Sequence, residues 1–200
     1  MILDFLLPAP CVVCGRLPKP ICQDCTPKSQ LGQESFENLK ICFAGTLDCE
    51  IDILLKNYKD KHRMALEKTL SSLMSEAVNL ALSQQKFDWY AVPPRNAKNF
   101  KSRGFSPVTR LVRRTKLAEM KRIPLRANRN LVDQRSLAFP ARQSNTELAF
   151  TAPLGRGRVL LVDDVMTTGA TIREMARCLR SAGYEVSFGC VLARRMANSS

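Results

Sequence analysis

Apolar positions change period several times along the chain, and each change marks an element. From 62 to 85, Leu66, Leu70, Leu73, Ala77, Leu80 and Ala81 recur at steps of three and four, which predicts a helix with one buried face. FDWYAVPP at 87–94 reads as a strand that stops at its prolines, and ICFAG at 41–45 is also strand-like, with the mixed IDILLKNYKD after it. Ser106 followed by Pro107 predicts a helix start, a side-chain N-cap and then proline at the first helical position, with Val108, Leu111 and Val112 turned inward. VLLVDD at 159–164 is a continuous apolar run, the mark of a strand buried on both faces of a parallel sheet. Ile172, Met175, Ala176, Leu179 and Ala182 then form the stripe of a helix that ends at Gly183, with Thr171 and Glu174 spaced for a capping box at its start. EVSFGCVLA at 185–193 is a further strand. Strand, helix and strand at this spacing form a βαβ unit, so the fold class is α/β with a parallel sheet. Residues 126–157 show no period, and a loop that long is usually functional.

The richest chemistry lies where the apolar run ends, in VLLVDDVMTTGATI at 159–172. Ligands of open α/β sheets bind beyond the carboxyl ends of the strands, where Asp163 and Asp164 are expected. The following loop enters a helix N-terminus, where free N–H groups and the helix dipole attract phosphate. Gly169 permits close approach, and Thr167, Thr168 and Thr171 add hydroxyl donors. Two carboxylates beside a phosphate cradle cannot hold the phosphate themselves and suit sugar hydroxyls instead. A ribose 5-phosphate group answers both requirements. The alternative is a buried strand, a solvated acid pair and an ordinary helix cap. No G-x-x-x-x-G-K-[ST] sequence is present, so this is not a P-loop.

Charge alters the picture next. The 200 residues carry a formal +13, which favours polyanionic partners. From Arg95 to Arg129 twelve basic residues face one acid, Glu119, so this segment carries +11 of the total. A pyrophosphate needs two or three of these. Lys98, Lys101, Arg103, Arg110, Arg113, Arg114 and Lys116 are therefore candidate contacts to a nucleic-acid backbone, read without regard to sequence. The competing reading is a solvated helix face plus a few phosphate-binding arginines. Aromatic interleaving is thin, with Phe100 and Phe105 alone, so base stacking has little support.

Eight cysteines include Cys11-x-x-Cys14 and Cys22-x-x-Cys25, separated by seven residues. Four thiolates so spaced suit tetrahedral Zn²⁺ in a knuckle-like structural site, since a segment this short cannot bury a core unaided. Redox chemistry or unrelated thiols are the alternative. Cys42, Cys49, Cys178 and Cys190 lack ligand spacing, with Cys178 and Cys190 expected in the core, and His62 reads as a surface or helix-start residue. MILDFLL at the N-terminus is short, lacks a basic flank and runs into prolines, so neither an export signal nor a membrane span is expected, and the cytoplasm is the expected compartment.

Four stretches together, CVVC…CQDC, VPPRNAKNFKSRGF, QRSLAFPARQSN and VLLVDDVMTTGAT, resemble the ComF/ComFC family of natural-transformation proteins. The last of them resembles the phosphoribosyl pyrophosphate (PRPP) motif of type I phosphoribosyltransferases. The resemblance implies a phosphoribosyltransferase-like sheet with flanking helices and a hood from about 40–60, a domain over 28–200, and a zinc module over 1–27. It implies that Asp163 and Asp164 hold the ribose hydroxyls, and that Met166, Thr167, Thr168, Gly169, Ala170 and Thr171 wrap the 5-phosphate. Pro94, Arg95 and Asn96 stand where the pyrophosphate loop belongs. Residues 130–147 stand where a flexible loop closes over PRPP, with Gln134, Leu137, Arg142 and Asn145 at family spacing. Phe139 and Ala141 replace that loop's usual second arginine and glutamate, and Ser106-Pro107 replaces the usual Asn-Gln after RGF. The implied function is a cytoplasmic competence protein that binds Mg²⁺-PRPP, handles incoming single-stranded DNA and works beside DNA-uptake proteins. An active phosphoribosyltransferase with an unknown acceptor, and a zinc-dependent adaptor with a vestigial pocket, are the two other readings.

Overall fold

A computed structural model describes residues 9–47, 49–95, 97–128 and 149–195. Strand β1 (Gly32–Phe36) turns into β2 (Leu39–Thr46), then helix α1 (Cys49–Asp60) and, after a 3₁₀ turn at Met64–Leu66, α2 (Glu67–Gln84). Strand β3 (Trp89–Ala91) precedes two short helices, α3 (Ala97–Arg103) and α4 (Pro107–Val112), and a 3₁₀ turn at Lys116–Glu119. Two-residue strands β4 (Arg126–Ala127) and β5 (Phe150–Thr151) pair as a separate ladder. Strand β6 (Arg158–Met166), helix α5 (Ala170–Ser181) and strand β7 (Glu185–Arg194) close the chain of elements.

The main sheet has the order β1-β2-β7-β6-β3. Its four inner and far strands run parallel, and β1 is an antiparallel edge. The strand-helix-strand unit read from 159–193 is thus present as β6-α5-β7. Period-two geometry explains why the apolar run is unbroken. Leu160, Val162, Phe188, Cys190 and Leu192 face a core shared with α1, α2 and α4. Val159, Leu161 and Val191 face a second core shared with α5.

Several expectations change on contact with the structure. The 87–94 strand shortens to Trp89–Ala91, because its flanking prolines cannot donate to a ladder. Ser106 occupies the N-cap of α4, yet its hydroxyl meets that of Thr109 at 3.0 Å instead of capping a backbone N–H. The Thr171–Glu174 capping box does not form. Gly169, at φ 73°, takes the N-cap of α5, while buried Glu174 accepts from the Phe150 N–H at 2.9 Å and pairs with Arg177 at 2.7 Å. Residues 40–60, read as the source of a hood, supply β2 of the main sheet and α1, whose C-terminal end meets β6. Cys42, Cys178 and Cys190 are buried, and burial raises the thiol of each. Among the described residues, no helix is long and apolar enough to cross a membrane.

Candidate functional site

Two charged centres stand out. The first is the carboxyl end of β6. The Asp164 N–H donates to Asp163 Oδ1 at 2.8 Å, and Asp163 is 8% exposed. Burial and then the adjacent Asp164 charge push the Asp163 carboxyl up from 3.8 to about 8. Asp164 Oδ2 meets Lys59 Nζ, from the last turn of α1, at 2.8 Å, with both side chains largely buried. Sequence reading missed Lys59, since nothing in KNYKD marks a lysine aimed at a strand far downstream.

Beyond the acids the chain turns through Thr167 and Thr168, both exposed, to buried Gly169. A Cβ on Gly169 would lie 2.2 Å from the Phe36 ring, so both its positive φ and its surroundings require glycine. Thr168 Oγ1 accepts from the Ala170 N–H at 3.4 Å, and no side chain caps the start of α5 from the N-cap position. A helix N-terminus left open in this way can receive an anion. Met166 is buried, and Ala170 and Thr171 are half-buried at the helix start.

Asp163 also lines a cleft of about 120 Å³ together with Pro93, Pro94, Arg95, Phe100, Arg103, Phe105 and Ser106. The turn after β3 and the end of its parallel neighbour β6 therefore share one opening. Arg95 is exposed, its guanidinium 4.8 Å from the Phe100 ring centre. Asn96, Gln134, Leu137, Phe139, Ala141, Arg142 and Asn145 lie outside the described residues, as does the side chain of Lys98.

The second charged centre divides the basic segment. Glu67, at the start of α2, is 6% exposed and accepts from Arg110 Nε at 2.7 Å and Arg114 Nε at 3.0 Å. Arg103 pairs with Asp60 at 2.8 Å. Three of the seven candidate DNA contacts are therefore held in internal ion pairs. Lys101, Arg113 and Lys116 are exposed.

Cys11, Cys14, Cys22 and Cys25 converge, with all four sulfurs within 4.8 Å of one another. The Cys14–Cys22 separation is 3.7 Å. Tetrahedral ligation at about 2.3 Å requires sulfurs roughly 3.8 Å apart, so the donor set fits Zn²⁺. Arg16 donates to Cys14 Sγ at 3.4 Å, which draws the Cys14 thiol down to about 6, and it also pairs with Asp24 at 2.6 Å. Val12, Val13 and Ile21 pack against the main core, so the cluster is docked on the body.

Residues 134–199 match the family model described as the phosphoribosyl transferase domain. Competence protein F of Haemophilus influenzae is 28% identical over 147 residues, which cover 68% of this chain and 64% of that protein. The chain thus spans less than two thirds of that relative's length. Adenine phosphoribosyltransferase from Thermoanaerobacter pseudethanolicus aligns at 22% identity over 72% of this chain and 73% of its own, with a TM-score of 0.39. Orotate phosphoribosyltransferase from Aeropyrum pernix aligns at 18% over 84% and 77%, also at 0.39. The expected resemblance to ComF/ComFC proteins and the phosphoribosyltransferase-like fold class are borne out by the family model, the competence relative and the sheet itself.

Proposed function

We propose that the β6 end binds PRPP and that the chain serves natural transformation as a competence protein of the ComF/ComFC kind. One observation carries this reading: Asp163 and Asp164 end the strand that leads into the N-terminus of α5, and Asp163 shares a cleft with the Pro94–Arg95 turn. A ribose with phosphate at one end and pyrophosphate at the other has that polarity. The 2- and 3-hydroxyls donate to the two carboxylates. The 5-phosphate takes the N–H groups around Gly169 and the hydroxyls of Thr167, Thr168 and Thr171. Arg95, with Asn96 beside it, takes the pyrophosphate.

Mg²⁺ fits the same place, since it prefers one or two carboxylates plus ligand phosphates, and when bound it neutralises charge on the pyrophosphate. Asp163 and Asp164 are the residues that would hold it or its water. Glycosyl transfer to an unknown acceptor is the second reading of the pocket, favoured by the room in the cleft beside Asp163. Single-stranded DNA is the partner proposed for Lys101, Arg113 and Lys116, with Lys98 a further candidate. DNA-uptake proteins and a cytoplasmic location follow from the competence reading, and so does a division into a zinc module at 1–27 and a transferase-like domain beyond it.

The test is calorimetry with Mg²⁺-PRPP, repeated in the presence of a single-stranded oligonucleotide. Binding that is clearly weakened in Asp164→Asn supports the site. Wild-type protein that gives neither heat nor thermal shift with PRPP refutes it. Elemental analysis should find about one zinc per chain.

A further inference from the structure

We infer that Lys59 exchanges partners during binding: it neutralises Asp164 in the free protein and moves to a pyrophosphate oxygen once a sugar diol occupies the carboxylates. The inference rests on the PRPP reading above and adds a residue to it.

The geometry sets up a competition. Asp164 is a carboxylate that a ribose hydroxyl would use, and Lys59 Nζ already holds one of its oxygens, Oδ2, at 2.8 Å. The contact is sheltered, with the lysine side chain 21% exposed and the aspartate 14%. A diol that donates to Asp164 draws on the same negative charge and so competes with this bond. The displaced ammonium would then lie in a half-closed site without its anion, which is costly unless a new anion is supplied.

The fold limits where the displaced lysine can go. Lys59 and Asp60 end α1, and Asp60 is fixed to Arg103 on the wall of the cleft at 2.8 Å. The last turn of α1 is thus tied to α3, the helix that follows the Pro94–Arg95 turn. Lys59 is held between Asp164, the neighbour of cleft-lining Asp163, and the turn of α1 that is tied to cleft-lining Arg103. An ammonium on a flexible four-carbon stem, with three rotatable donors, suits such an exchange better than a rigid guanidinium fork. PRPP carries the anion that replaces Asp164. Ribose 5-phosphate offers the same diol and the same 5-phosphate but no pyrophosphate. Lys59 therefore penalises every ribosyl ligand for opening the bridge and returns that interaction to PRPP alone, so it acts as a specificity residue for the pyrophosphate.

The experiment compares the two ligands. Wild-type protein, Lys59→Met, Lys59→Gln and Lys59→Arg are titrated calorimetrically with Mg²⁺-PRPP and with ribose 5-phosphate, and near-ultraviolet circular dichroism checks folding. Preference for PRPP over ribose 5-phosphate should fall by about tenfold or more in both neutral variants, the size of one lost charge-assisted contact. The Arg variant keeps the charge but on a rigid fork, and should show a preference between wild type and the neutral variants. Lys59→Gln retains length and polarity and carries the test should Lys59→Met unfold. An unchanged preference in a folded neutral variant overturns the inference and leaves Lys59 as a structural counter-ion. Equal wild-type affinity for the two ligands also overturns it while preserving a sugar-phosphate site. Wild-type protein that binds neither removes the PRPP reading, and the inference with it.

Discussion

Among the described residues acids are buried at the start of α2, at the β6 end and, as Glu174, within α5, and the first two are treated differently. Glu67 is one carboxylate held by two guanidiniums, from Arg110 and Arg114. At the β6 end the one ammonium, Lys59, pairs with Asp164, while the adjacent Asp163 accepts only the Asp164 N–H among the described residues. The first arrangement satisfies its charge with a surplus, and α2 and α4 are pinned together by it. In the second, Asp163 has no ion pair of its own among the described residues, and burial and then the adjacent Asp164 charge push its carboxyl up to about 8. A buried acid with complete partners acts as structure. A buried acid left short of partners has capacity for a ligand to fill. The difference separates two clusters that amino-acid type alone does not.

The sharpest way to break this contrast is Asp164→Asn. It keeps shape and removes the charge that a ribose hydroxyl and Lys59 both seek. Mg²⁺-PRPP affinity should fall by about 1–3 kcal/mol, roughly five- to 150-fold, while the loss of Lys59's partner lowers the thermal midpoint by no more than roughly 2–4 °C. Calorimetry and a thermal melt on one preparation check both halves. A large loss of stability with affinity intact would show the β6 acids to be structural as well.

Glu67→Gln should do the reverse. Removing one side of a largely buried pair leaves two guanidiniums facing a neutral amide. Arg110 and Arg114 are 42% and 56% exposed, so water offsets much of the loss. A cost of about 1–2 kcal/mol follows, seen as a midpoint lowered by roughly 2–8 °C, with PRPP affinity unchanged.

How far the sequence alone carried the comparison depends on which residue is asked about. The β6 acids were legible because they end an apolar run and precede a glycine and three threonines. Their polarity stands out against a strand buried on both faces. The four cysteines were legible from spacing. Glu67 was not, because it lies at the head of a helix whose apolar stripe begins at Leu66, and its partners belong to another helix. Lys59 was not, because long-range ion pairs leave no local pattern. Strand β1 was also hidden. GQESF has no apolar alternation, as an edge strand with one open side does not require it. Helix α3, AKNFKSR, was hidden for a similar reason, having no apolar periodicity to read. Glu174 misled, since its spacing from Thr171 fitted a capping box while the fold supplied a nearer cation in Arg177 and an open backbone donor in Phe150.

A smaller effect sharpens the description of the short-handed centre. Asp163 holds its proton to about pH 8 in the folded chain, whereas a free carboxyl releases it near 3.8. Between those values the folded state binds more protons than the unfolded state, so this group makes stability fall as pH rises. Asp163→Asn cannot ionise and should flatten that part of the profile. At pH 8 the variant should melt higher than wild type, by roughly 2–4 °C for about 1 kcal/mol, while binding PRPP more weakly. Melts from pH 5 to 8 on both proteins check the slope. A wild-type profile that rises across this range would mean that Asp163 is ionised throughout and that the β6 end is better compensated than its neighbours indicate.

The smallest expected effect concerns the basic segment, and it tests whether Glu67 removes arginines from other work. If Arg110 and Arg114 belong to Glu67, they are poor candidates for contacts to a nucleic-acid backbone, and exposed Arg113 and Lys116 are the better ones. Binding of single-stranded DNA by counter-ion release changes the logarithm of affinity with the logarithm of salt by about −0.7 per neutralised phosphate. Reversing Arg113 and Lys116 to glutamate should therefore flatten the slope by about 1.4, with PRPP binding retained, because neither residue lines the cleft. Neutralising Arg114 alone should leave the slope within about 0.3 of wild type, less than half of one phosphate contact, and lower the melting point instead. Fluorescence anisotropy across a salt series reads the slope, and the melt reads the pairing. A slope flattened by about 0.7 with Arg114, and unchanged with Arg113 and Lys116, would mean that the Glu67 cluster opens to meet DNA and is not the closed structural pair that its geometry describes.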